Sequence, residues 1–206
     1  MRVVVLGIGN TIMSDEGVGV HAVEALRRSY TLPGCVDIID GGTSGMELLD
    51  DLASVDLLVV VDAVKAGKPE GTLVRLGDGG VPVFFRSKLS PHQIGLSDLM
   101  ASLEFVGQSP KRTVVIGVQA ENFKLGLEMT PPIAARVPDL VAMVVAELAQ
   151  HGIEALPTQL KAAALPPGRA QEEIPGRDPK AWQPCFCERS EPQPPLSTGK
   201  GLGERY

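Results

Sequence analysis

The sequence predicts an α/β fold: a three-layer α/β/α sandwich built on a twisted, mostly parallel five-stranded sheet with helices on both faces. Two patterns predict it. Short β-branched runs recur along the chain, and stretches with apolar residues at helical spacing lie between them. Strands that alternate with helices pair in parallel, because right-handed crossovers lay each helix back on a face of the sheet.

The first three runs, Val3 to Leu6, Val36 to Ile39 and Leu57 to Val61, each stop at a glycine or an acid, as buried strands do before a turn. Between them, Val18 to Leu26 and Met46 to Leu52 repeat apolar residues at three- and four-residue spacing, giving a β-α-β-α-β start. Thr72 to Leu76 follows a Gly/Pro turn as a fourth strand. The helix-like segment Leu96 to Phe105 then leads to a fifth, Thr113 to Val118. A last helix starts at Pro131-Pro132, carries Ile133, Val137, Leu140, Val141, Val144 and Leu148 on one stripe, and stops at Gly152. Pro138 inside it predicts a kink near Ala134, whose carbonyl would lose its donor. Beyond Leu156 the periodicity disappears and more than half of the chain's 17 prolines are found. Residues 1–156 are therefore expected to form one α/β domain, and 157–206 a Pro-rich disordered tail.

With 206 residues, 44% of them hydrophobic and 21% charged, the chain can bury one sizeable core. A formal net charge of -6 supplies no basic surface for nucleic acid or anionic membrane, so a protein or small-molecule partner is expected. Three cysteines, Cys35, Cys185 and Cys187, make no disulfide framework and fit a reducing compartment. The apolar start has neither the length nor the cleavage site of a secretory signal, and no apolar stretch is long enough to cross a bilayer. The expected location is cytoplasmic, without membrane insertion.

In open parallel sheets ligands bind beyond the carboxyl ends of the strands, where successive crossovers leave in opposite directions. The polar residues gather there: Gly7-Ile-Gly-Asn10 and Ser14-Asp15-Glu16-Gly17 after the first strand, Asp40-Gly41-Gly42-Thr43 after the second, Asp62-Ala63 after the third. If the first and third strands are neighbours, Glu16 and Asp62 converge. Ser90-Pro-His-Gln-Ile-Gly95 brings His92 to the same rim from a loop ahead of a helix. Two carboxylates and an imidazole can hold a divalent metal, although as cap or loop residues they would need no ligand. The glycines around Thr43 either expose N–H groups to a bound peptide or make a plain turn. Gly7-Ile-Gly9 invites a dinucleotide reading, yet the fingerprint's third glycine would fall at Ile12. Neither G-x-S-x-G nor H-E-x-x-H is present. Cys35 reads as a small apolar residue at a strand start. His21 and His151 read as helix residues, the latter favoured by the dipole at a C-terminus.

In order and spacing, Gly7-Ile-Gly-Asn10, Asp15-Glu16-Gly-Val-Gly19, Asp40-Gly-Gly-Thr43, Asp62-Ala63 and Ser90-Pro-His-Gln-Ile-Gly95 resemble the hydrogenase maturation proteases, from Met1 to about Leu156. The form of the last motif looks most like proteases serving uptake or membrane-bound hydrogenases. The resemblance implies a phosphorylase/hydrolase-like sheet between helices. It also implies an endopeptidase that removes a C-terminal extension from the nickel-loaded [NiFe]-hydrogenase large-subunit precursor. It supplies Glu16, Asp62 and His92 as metal-contacting and catalytic positions, and Asp40, Gly41, Gly42 and Thr43 as the segment that recognises the precursor. Nickel would arrive bound to the precursor's own cysteines. On the residues alone two other classes stay open: a metal-dependent chaperone that holds the precursor without cutting it, and a small nucleotide-binding α/β protein.

Overall fold

Alternation along β1 (Val3–Ile8) sends Val3 and Val5 to one face of the sheet and Val4, Leu6 and Ile8 to the other, and every residue is buried. That is the signature of a central strand covered on both sides. The computed structural model describes residues 1–77 and 91–158, the side chains of 91–94 excepted. After β1 come a 3-10 turn (Ser14–Gly17), α1 (Val18–Ser29), β2 (Tyr30–Thr31) and β3 (Val36–Gly42). A second 3-10 turn (Met46–Leu48), α2 (Leu49–Leu52), β4 (Leu57–Val64), β5 (Leu73–Gly77) and α3 (Pro91–Phe105) follow. The described chain closes with β6 (Thr113–Gln119), α4 (Pro131–Ala134), α5 (Val137–Gln150) and β7 (Leu156–Pro157).

The sheet order is β3-β1-β4-β6-β5. β1 pairs in parallel with β3 and β4, β4 in parallel with β6, and β5 runs antiparallel to β6 at the edge. One face packs against α1 through Val18, Ala22, Val23 and Leu26, and against α5 through Leu140, Val144 and Leu148. The other packs against Leu48, Leu52 and the α3 leucines 96, 99 and 103. Burying each of these leucines contributes about 1.5–3 kcal/mol, so both helical layers are held mainly by apolar area. The three layers and all five expected strands are present.

Several elements differ from the sequence reading. The last helix is interrupted rather than kinked: α4 ends at Ala134 and α5 begins at Val137 with Pro138 in its first turn. Proline cannot bond to the carbonyl four residues back, but costs nothing at a helix start, where that N–H has no partner in any case. Gly152 does end α5, at φ +74° with its N–H on the Ala149 carbonyl at 3.0 Å. Met46 to Leu52 divides into a 3-10 turn and one helical turn. The two-residue ribbon β2–β7 carries no periodic signal at that length. Cys35 is exposed, just ahead of β3. His92 lies in the first turn of α3 and not on a preceding loop. The expected tail lies outside the described residues from 159 on, with Cys185 and Cys187. No helix among the described residues is long and apolar enough to cross a membrane.

One charged contact ties the edge strand to the helical layer. Glu147 of α5, only 2% exposed, accepts from Arg75 Nε at 2.7 Å and Nη2 at 2.9 Å, and His151 lies 3.5 Å from the same carboxylate. The Arg75 hydrogen bonds hold the Glu147 carboxyl below its ordinary 4.5 against the opposing effect of burial. A depressed folded value stabilises the protein above the unfolded carboxyl's pKa, and this contribution fades as pH falls below it. Glu147→Gln is expected to cost about 1.5 kcal/mol at pH 7, near the low end for a charged hydrogen bond because Arg75 is half-exposed. Urea unfolding at pH 7 and pH 3 checks this: the difference between variant and parent should shrink at the lower pH.

Candidate functional site

The chain leaves β1 through Gly9, at φ +135°, and a methyl group there would collide with the Glu16 carbonyl. Glycine at this position lets the turn carrying Glu16 fold down onto the strand end. Met13 and Asn10 close the loop by a hydrogen bond of 3.0 Å, and the Glu16 N–H donates to the Met13 carbonyl at 3.2 Å. Glu16 is 5% exposed. Its neighbour Asp15 is fully buried and anchors the turn to the loop 122–130. The Asp15 carboxylate accepts from the Thr130 N–H at 2.7 Å, from the Thr130 hydroxyl at 3.0 Å and from the Asn122 N–H at 3.4 Å. The Asp15 N–H in turn donates to the Asn122 carbonyl at 3.2 Å.

Asp62, also fully buried, lies on β4 one residue past the last β1–β4 pair, Gly7↔Val61. It shares strand parity with Leu58 and Val60, so it belongs to the face covered by α3. From β1 the chain crosses to β3 on one side, and from β3 it crosses back to β4 on the other, which makes β1/β4 the switch point of the sheet. Glu16 stands at the start of the first crossover and Asp62 at the end of the strand the second one reaches. The condition for their convergence, adjacent β1 and β4, is met.

The third expected residue approaches through its backbone. Gly45 and Gly95 pack so closely that a methyl on either would lie 3.2 Å from the other's Cα, which sets the first turns of α3 against the loop after β3. At the far end the Ser54 N–H bonds to the Gln108 carbonyl at 2.8 Å, just before β4 begins. α3 thus runs with its N-terminus at the carboxyl rim of the sheet, and His92 is its second residue. The His92 imidazole lies outside the described residues. Among those residues no group of three His, Cys, Asp or Glu is arranged to hold a metal ion.

Beside Glu16's turn, Gly9, Asn10, Thr11, Val20, Asp40, Gly42 and Thr43 line a cleft of about 180 Å³. The exposed Asp40 accepts from the Gly42 N–H at 3.0 Å, and the Gly42 carbonyl accepts from the Gly9 N–H at 2.8 Å, so the two strand-end loops are bonded together. Asp40, Gly42 and Thr43 thus border the cleft, whereas Gly41 is buried with no room for a methyl group beside Leu6. Two larger cavities, of about 470 and 460 Å³, are lined by residues such as Asp56 and Lys111 or Pro33 and Cys35. These precede the strands, at the edge where parallel sheets do not bind ligands, and the smaller cleft is the better candidate.

Residues 20–147 match the family described as hydrogenase maturation protease. The chain belongs to that family. It is 43% identical over 160 residues to the hydrogenase 2 maturation protease of Escherichia coli, covering 77% of this chain and 98% of the relative. The hydrogenase expression/formation protein HupD of Thiocapsa roseopersicina is 42% identical, covering 75% of this chain and 71% of the relative. Among solved structures, the hydrogenase maturating endopeptidase of E. coli superposes with a TM-score of 0.74 at 42% identity, covering 77% and 99% of the two chains. In this hydrogenase maturation protease Gly7, within β1, packs against α1 and Gly9 against the Glu16 turn, and Ile12 stands 50% exposed where a dinucleotide site wants glycine. The sequence places Asp15 within a motif but gives it no task. Its partners are more than a hundred residues away and have no local signature.

Proposed function

We propose that this protein is the endopeptidase that removes the C-terminal extension from a nickel-loaded [NiFe]-hydrogenase large-subunit precursor. The observation that supports it is the pair of buried acids, Glu16 and Asp62, at the switch point of the sheet, with the first turn of α3 laid over the same rim. Nickel in this account belongs to the substrate. Two carboxylates and the His92 imidazole contain no thiolate and hold a borderline metal weakly alone, but they complete the coordination of one already held by a client's cysteines. A precursor without metal has nothing for them to bind, so the metal reports that the client is ready. Asp40 and Thr43, on the neighbouring cleft, take the flanking peptide. With the peptide in place, a carboxylate of the pair accepts the proton of the attacking water, and that proton passes to the amine released with the extension. The form of the motif Ser90-Pro-His-Gln-Ile-Gly95 favours an uptake or membrane-bound hydrogenase as the client.

The test is intact-mass measurement of a purified nickel-loaded precursor after incubation with the protein. Loss of one C-terminal fragment supports the proposal. A bound precursor of unchanged mass would mean a chaperone.

A further inference from the structure

We propose that Ile12, Leu125 and Leu127 form an apolar docking strip for the part of the precursor polypeptide next to the bond that is cut. The inference rests on the endopeptidase reading above. Leu125 and Leu127 are 79% and 76% exposed, and Ile12 is 50% exposed. A parallel bridge joins Met13 to Gly126: the Gly126 N–H donates to the Ile12 carbonyl at 3.0 Å and the Ser14 N–H to the Gly126 carbonyl at 2.8 Å. Leu125 and Leu127 flank the bridged Gly126, and the parallel register sets Ile12, the residue before Met13, beside Leu125. The two segments close up because residue 126 has no side chain: a methyl there would lie 2.7 Å from the Ser14 hydroxyl.

Three features argue that this strip meets the client. First, it is held out by a rigid frame, since the same loop is bonded at both ends to the buried Asp15 through Asn122 and Thr130. Exposed leucines on such a frame cost solubility and contribute nothing to the core, the usual mark of a binding surface. Second, the charged and exposed Glu121, Lys124 and Glu128 border it, giving the apolar centre and polar rim of a protein interface. Third, it is continuous with the site: Ile12 stands two residues ahead of the turn Ser14–Gly17 that carries Glu16, and Leu125 adjoins it across the Met13–Gly126 bridge. Across that turn lies the polar cleft of Asp40 and Thr43. The strip and the cleft together fit a client segment that is polar on one side of the cut bond and apolar on the other.

The full chain carrying Leu125→Ser and Leu127→Ser tests this. With nickel-loaded precursor as substrate, KM should rise about tenfold or more while kcat stays within about twofold, because the strip contributes to binding in ground state and transition state alike. The thermal midpoint should not move. An unchanged KM in the folded variant overturns the proposal. If the unaltered protein does not cleave the precursor, the endopeptidase reading fails separately, and calorimetric titration with the same precursor then reads the strip: weaker binding by the variant supports it, equal binding overturns it. An unaltered protein that sediments as a dimer, with a monomeric variant of unchanged KM, would assign the strip to a second copy of the chain and defeat the proposal.

Discussion

Replacing Asp62 by Asn is expected to slow precursor cleavage by about 10²–10⁴-fold while leaving the fold in place. The substitution keeps the size of a fully buried side chain at the end of a central strand, so packing against the α3 layer changes little. What it removes is the negative charge, and with it the proposed metal ligand and base. Glu16→Gln should act in the same direction, since it alters the other acid of the pair without touching the Asp15 anchor or the fit of Gly9. Circular dichroism and a thermal melt establish that each variant is folded, and single-turnover cleavage gives the rate. Full activity in Asp62→Asn would remove that residue from the chemistry.

The second large effect concerns the state of the client. Nickel-loaded precursor should be cleaved at least about a hundredfold faster than nickel-free precursor, which corresponds to about 2.7 kcal/mol of binding to the metal. In the proposed account three side chains on three separate segments supply that binding, so removing one should reduce the discrimination as well as the rate. His92→Ala is the informative case. The histidine sits in the first turn of α3 rather than on a loop, so its folding control matters, but the leucines that dock this helix are 96, 99 and 103, further along. Equal cleavage of loaded and empty precursor by the unaltered protein would exclude metal sensing.

The strands were legible because β-branched runs such as the one from Leu57 to Val61 are buried on both faces, and such runs need no partner residue to be recognised. The ends of elements were less so. The helix-like segment read from the sequence starts only at Leu96, which left the turn containing His92 outside it. The split between α4 and α5 came from Pro138 acting as a start signal rather than an interior defect. At the site, the strand ends that carry Glu16 and Asp62 are readable from the sequence pattern, whereas the adjacency of β1 and β4 entered there only as a condition, which the fold meets. The Asp15–Thr130 anchor and the Met13–Gly126 bridge do not follow from any pattern, because they join segments that only the finished fold brings together.

Nickel-edge X-ray absorption on the loaded precursor, alone and freeze-quenched with the unaltered protein before cleavage, bears most directly on the proposed contact between client metal and protease. The account predicts new oxygen and nitrogen neighbours around nickel in the mixture, fewer of them when His92→Ala is used. Identical spectra for free and bound precursor, with cleavage still proceeding, would contradict it.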